Sequence, residues 1–161
     1  NEKIKKRRKE MHSKGPIFII VIVVILSALV LSACGPKGTP EPITLTVTGS
    51  VDKELQLTDS ALHKMDVVTL TLEHPKNGPT EYTGVRLSEL FSKAGAKSGA
   101  TTVTFTASDG FTSDLDLATV QACADCLVSF DSETPGVYNL AMPGQTSGKV
   151  WVKGLSSITI K

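Results

Sequence analysis

Apolar and hydroxyl residues alternate strictly at the start of the globular part of the chain: Ile43, Leu45 and Val47 interleave with Thr44, Thr46 and Thr48. Successive side chains of an extended strand point to opposite faces, so this order commits the segment to a sheet with one buried face. The pattern recurs. Val68, Leu70 and Leu72 alternate within 67–72, and Val103, Phe105 and Ala107 within 101–107. Phe111, Ser113 and Leu115 alternate on a return strand. Residues 53–57, Leu127–Phe130, 137–142, 150–152 and 157–160 read as further strands, and Tyr82 sits on the return from the Asn77-Gly78 turn. Gly49, Val51-Asp52 and Ser108-Asp109-Gly110 supply the remaining turn chemistry. Helices are short. Leu87, Leu90, Phe91 and Ala94 fall at i, i+3, i+4 and i+7, with Gly95 placed to cap the C-terminus. Thr58 or Asp59 can cap a helix carrying Leu62 and Met65, and Asp116 one over 117–122. Many strands with two or three short helices predict an α+β domain with mixed or antiparallel sheets.

Residues 16–33 carry no charge and end in Leu31-Ser32-Ala33-Cys34. Seven Lys and Arg against two Glu occupy residues 1–15, which keeps that end cytoplasmic. Basic start, apolar run, small residues and junction cysteine resemble a bacterial lipoprotein signal. The resemblance implies cleavage before Cys34 and a diacylglyceryl thioether on its sulfur, making membrane lipid the partner of Cys34. The run also reaches the length of a retained N-terminal membrane anchor. Either way residues 35–161 lie outside the cytoplasm. The expected organisation is a signal peptide or anchor over 1–33, a lipidated cysteine and Pro/Gly tether over 34–42, and one domain over 43–161. The localisation that follows is the extracytoplasmic face of the cell membrane.

Residues 34–161 hold 10 basic and 14 acidic side chains, a net charge of −4. A mildly acidic domain without a basic cluster is not a nucleic-acid binder. Cys123 and Cys126 form a CxxC, an even pair suited to a disulfide in an oxidising compartment. A thiol–disulfide module is an alternative use, although no thioredoxin-like strand–CxxC–helix context surrounds them. Zinc lacks a second ligand pair, and Leu127 stands where covalent haem attachment needs a histidine.

Tyr82-Thr83-Gly84-Val85-Arg86-Leu87-Ser88-Glu89-Leu90 with Ala94-Gly95-Ala96 resembles the G-V-x-L stretch of the sulfite-oxidase-like molybdopterin-binding domain. Val103 to Phe111 (VTFTASDGF) is similar to that family's strand and turn, and Leu45-Thr46-Val47-Thr48-Gly49 to its entry strand. Leu140-Ala141-Met142-Pro143-Gly144, then Val152-Lys153-Gly154-Leu155 and Ile158, resembles its closing segment. The resemblance implies the family's α+β scaffold over nearly all of 43–161, in a form shorter than the full-length enzymes. It also implies molybdopterin as the cofactor to consider.

One departure cuts against that cofactor. The family holds molybdenum through a cysteine thiolate shortly before the G-V-x-L segment, where this chain has Leu70-Thr71-Leu72-Glu73-His74-Pro75-Lys76-Asn77-Gly78. No cysteine occurs between Gly35 and Ala122, and Arg86 is the only arginine after the leader. A soft thiolate and the planar fork of arginine are the usual grips on the metal and on the pterin phosphate. The expectation is therefore a binding or accessory module on this scaffold, acting on a small molecule or an envelope protein. A molybdopterin-dependent oxidoreductase is the alternative. His74, Lys76, Asn77 and Asp109 are the candidate rim of a ligand site, with Asn77 and Asp109 also explained by turn geometry. No metal ligands are assigned. His63 reads as a surface residue, and Tyr138 and Trp151 as packing between closing strands.

Overall fold

The alternating segments become strands in a computed structural model that describes residues 40–145 and 147–161. The signal, anchor and lipid-attachment readings fall on residues outside these. Strand β1 is Ile43–Gly49 and β2 is Leu55–Thr58, followed by helix α1, Asp59–His63. Strands β3, Val67–His74, and β4, Gly78–Arg86, form a hairpin that leads into α2, Leu87–Ala94. Then come β5, Thr102–Ala107, β6, Thr112–Asp116, and α3, Leu117–Gln121. Strands β7, Leu127–Phe130, β8, Tyr138–Ala141, and β9, Leu155–Ile160, close the domain.

Two sheets result. One has the order β2-β1-β9-β5-β6 and is mixed, since β1 and β9 run parallel. The other, β3-β4-β7-β8, is wholly antiparallel. The alternation in β1 sorts as its chemistry requires: Leu45 and Val47 are fully buried, while Thr44, Thr46 and Thr48 are only partly covered. Phe105, Ile158, Leu62, Leu87, Leu90 and Leu127 join them in a single core. Burying each such side chain contributes about 1.5–3 kcal/mol. Helix α2 turns its predicted stripe inward: Leu87, Leu90, Phe91 and Ala94 are all buried. Gly95 ends it in a left-handed conformation (φ 68°), its N–H donating to the Phe91 carbonyl. Thr58 and Asp116 cap α1 and α3, their side chains accepting from the N–H groups of Ala61 and Thr119.

Residues 150–152 do not form the expected strand. The Ser147 hydroxyl accepts from Lys149 N–H, and Trp151 N–H donates to the Gly148 carbonyl, which winds 148–150 into a 3₁₀ turn. A single bond survives from the strand reading, from Leu140 N–H to the Val152 carbonyl. Among the described residues no helix is long and apolar enough to cross a membrane.

Tyr138 shows what the core does to a polar side chain. Its hydroxyl donates to the Asp59 carboxylate and lies 3.5 Å from the Thr44 hydroxyl. Burial and the Asp59 hydrogen bond push its pKa from 10 up to about 12. A raised value in the folded state means that the neutral form contributes stability in full below pH 10. That contribution is lost as pH rises through about 12. The stability advantage of the wild type over Tyr138→Phe should therefore shrink across that window, as read by thermal melts at stepped pH.

A cleft where two strands part

Gly84 marks where the antiparallel sheet opens. Strand β4 pairs with β7 only through Arg86–Leu127, Val85–Val128 and Gly84–Ser129. At Gly84 the backbones approach so closely that an added Cβ would lie 2.1 Å from the Val128 carbonyl oxygen. Beyond this point β4 continues along β3 to Gly78 without a partner on its β7 side. A cleft of about 490 Å³ lies there. One wall is Thr80, Glu81, Tyr82 and Thr83 of β4. The other is Ser129 and Phe130 of β7, Asn139 and Leu140 of β8, and Asp131 and Ser132 between them. Trp151 and Lys153 come from the segment after the 3₁₀ turn, and His74 and Asn77 from the β3–β4 hairpin.

Three rings gather at one end. The His74 ring meets Trp151 edge-on at 4.7 Å between centroids, and Tyr82 lies 5.5 Å from Trp151. Trp151 is 92% buried, and its Nε1 has no hydrogen-bond partner among the described residues. Burial raises the Tyr82 pKa, which keeps its hydroxyl a donor. Elsewhere in the lining the Asp131 carboxylate accepts from Asn139 Nδ2 and from the N–H groups of Glu133 and Thr134. The Asn139 bond, followed by the two backbone bonds, holds Asp131 below the usual carboxylate range. Asn139 Oδ1 in turn accepts from Gly154 N–H, so one amide ties the loop after β7 to the segment bearing Lys153.

The candidate rim is divided by the structure. His74 and Asn77 line the cleft, whereas Lys76 lines an adjoining depression with Glu73, Gly144 and Gln145. Asp109 lies on a third depression with Phe111 and Lys149, its carboxylate accepting from Phe111 N–H as a turn former. Tyr82, Phe130, Asp131, Asn139, Trp151 and Lys153 were not singled out as rim residues by sequence. Their convergence depends on where the β4–β7 ladder stops, which no local pattern encodes.

His74 Nδ1 accepts from the backbone N–H groups of both Lys76 and Asn77, each at 3.2 Å. In a neutral imidazole that places the ring proton on Nε2 and uses the only in-plane lone pair on the turn. His74 therefore presents an N–H to its surroundings rather than a metal-ligating nitrogen. Cys123 and Cys126 are joined by a disulfide with a Cα–Cα distance of 5.5 Å, Cys126 fully buried at the foot of β7. Closing so short a loop stabilises the fold by on the order of 2 kcal/mol. It leaves neither sulfur as a thiolate. No group of three or more His, Cys, Asp or Glu residues suited to a metal ion exists among the described residues. This donor set does not fit a thiolate-held molybdenum.

Sequence comparison places the scaffold. The model of the family described as an oxidoreductase molybdopterin binding domain matches residues 34–133. The chain belongs to that family. No curated protein matches it. Among solved structures it is similar to the sulfane dehydrogenase SoxCD from Paracoccus pantotrophus, at 21% identity and a TM-score of 0.61. That likeness covers 72% of this chain and 37% of the SoxCD chain, so the present chain spans well under half of it. It establishes the shared fold. Within the molybdopterin-binding family match lie His74, Tyr82, Phe130 and Asp131, while Trp151 and Lys153 lie beyond residue 133.

Proposed function

We propose that this chain is a membrane-tethered, extracytoplasmic binding module. It uses the oxidoreductase molybdopterin-binding scaffold to hold a planar, polar heterocycle of pterin type without a metal. The observation that carries this reading is the His74 side chain, whose lone pair is committed to its own turn in a cleft that offers no thiolate. What remains suits a flat ligand. Trp151 and Tyr82 offer ring surface, Asn139 and Asp131 fixed polar groups, and Lys153 a positive charge in the lining. Trp151 is the chain's single tryptophan, so fluorescence excited selectively in the indole band reports on this cleft. Titration with a free pterin is expected to give saturable quenching, abolished by an Asn139→Leu substitution at the cleft wall. Quenching that is linear and identical in the variant contradicts the reading.

The tether rests on Cys34 and the uncharged run before it. Cys34→Ser is expected to abolish incorporation of a fatty-acid analogue and to leave an unprocessed precursor, read on gels of metabolically labelled cells. Full labelling of that variant would remove the lipid from the account.

A further inference from the structure

Strand β3 is one margin of the antiparallel sheet, and its outer edge is bare. Its backbone bonds run to β4 through an unbroken register from Val67–Val85 to His74–Gly78, and among the described residues to no other strand. An unpaired edge of eight residues is a template for another strand unless it is short, charged, bulged or interrupted by proline. The other three margins are blunted in those ways. Strands β2 and β8 have four residues each, and β6 carries the exposed Asp114 and Asp116. Strand β3 reads VVTLTL before its first charge, with Val67 36% exposed and Val68 and Leu70 only partly covered.

We propose that this edge is an interface between two copies of the chain, paired antiparallel about a two-fold axis through Leu70. Directly opposite residues of an antiparallel pair share a face. An axis perpendicular to the sheet then sets one residue against itself, and the Val68, Leu70 and Leu72 row continues across both copies. Centring on Leu70 places Val68 opposite Leu72 of the second copy, Thr69 opposite Thr71, and Asp66 opposite His74. Every apolar side chain of the row meets another. The Asp66 carboxylate faces a histidine whose free nitrogen is a donor, because its Nδ1 already accepts from the hairpin. A slip to Thr69 sets Asp66 against Leu72, and a slip to Thr71 sets Val68 against His74. Both lose that complementarity. The Leu70 register also brings Asp66 of the second copy to the His74 rim of each cleft.

The full chain, purified in mild detergent, provides the test. Oxidation of Leu70→Cys should give a dimer whose cross-linked peptide joins position 70 to itself, absent from the wild type. Thr69→Cys and Thr71→Cys should not link to themselves. Thr69→Lys with Thr71→Lys, both at exposed positions, sets lysines against lysines and should weaken self-association about tenfold or more in sedimentation, with melting unchanged. Thr69→Lys with Thr71→Glu in one chain restores opposite charges and should restore the dimer. A chain that stays monomeric to about 100 µM overturns the proposal. So does a dimer indifferent to the lysines, a link at 69 or 71 but not at 70, or a monomer that takes an extended segment of another protein on this edge.

Discussion

Gly84→Val is expected to leave the domain unfolded or barely folded, with loss of its far-UV β signal and of soluble yield. A side chain at this position runs into the Val128–Ser129 backbone of β7. Its Cβ would sit 2.1 Å from the Val128 carbonyl oxygen, 2.6 Å from Ser129 Cα and 2.8 Å from the Val128 carbonyl carbon. None of these atoms can rotate away, so β4 and β7 must separate. Separation breaks the three-pair ladder and draws Leu87 N–H from the Cys126 carbonyl, which satisfies the first turn of α2. The helix places four buried side chains in the core, so the damage spreads beyond the ladder. A loss above about 4 kcal/mol removes most of the stability of a domain at the low end of the usual range. Gly78→Ala gives the contrast. It has nothing within 4 Å of the added Cβ and only its left-handed φ of 70° to strain, so it should cost about 1 kcal/mol. Urea titrations of the two variants distinguish close approach from backbone conformation as the reason for each glycine.

Trp151→Ala is the second large effect, because this side chain serves core and cleft together. It is 92% buried and contacts His74 and Tyr82, so truncation removes a large apolar volume and should cost about 3–5 kcal/mol. It also removes an aromatic side chain that lines the cleft, so pterin binding measured by calorimetry should fall to background even where the variant folds. Trp151→Phe separates the two roles. It keeps an aromatic surface against both neighbours and deletes an Nε1 that has no partner, relieving a buried unsatisfied donor. Its stability should stay within about 1 kcal/mol of wild type. Equal losses for alanine and phenylalanine would mean that the indole nitrogen, rather than the ring packing, holds the position.

The sheet framework was legible because a strand's side-chain period of two appears directly in residue order. Leu45 and Val47 of the first row and the Leu87, Leu90, Phe91, Ala94 stripe went inward as their spacing requires, whereas Ile43, at the start of its strand, stays 51% exposed. Residues 150–152 failed because Ser147 caps a 3₁₀ turn that competes with extension, a local side-chain bond that hydrophobicity does not encode. The site was legible only at one corner. His74 and Asn77 stand beside a turn that any reading of Asn-Gly locates, but the residues facing them lie on β7, β8 and the segment after the 3₁₀ turn. They meet because β4 and β7 part at Gly84, a consequence of packing. His74 carried a signal of its own: a ring two and three residues ahead of backbone N–H groups in a tight turn can accept from both.

That hydrogen bonding is what separates this cleft from a metal site. Quantitation of molybdenum and pterin in the full chain, purified from a molybdenum-sufficient host, tests it most directly. Molybdenum is expected far below one atom per chain, whether or not pterin is present. One molybdenum and one pterin per chain, retained through purification, would contradict it.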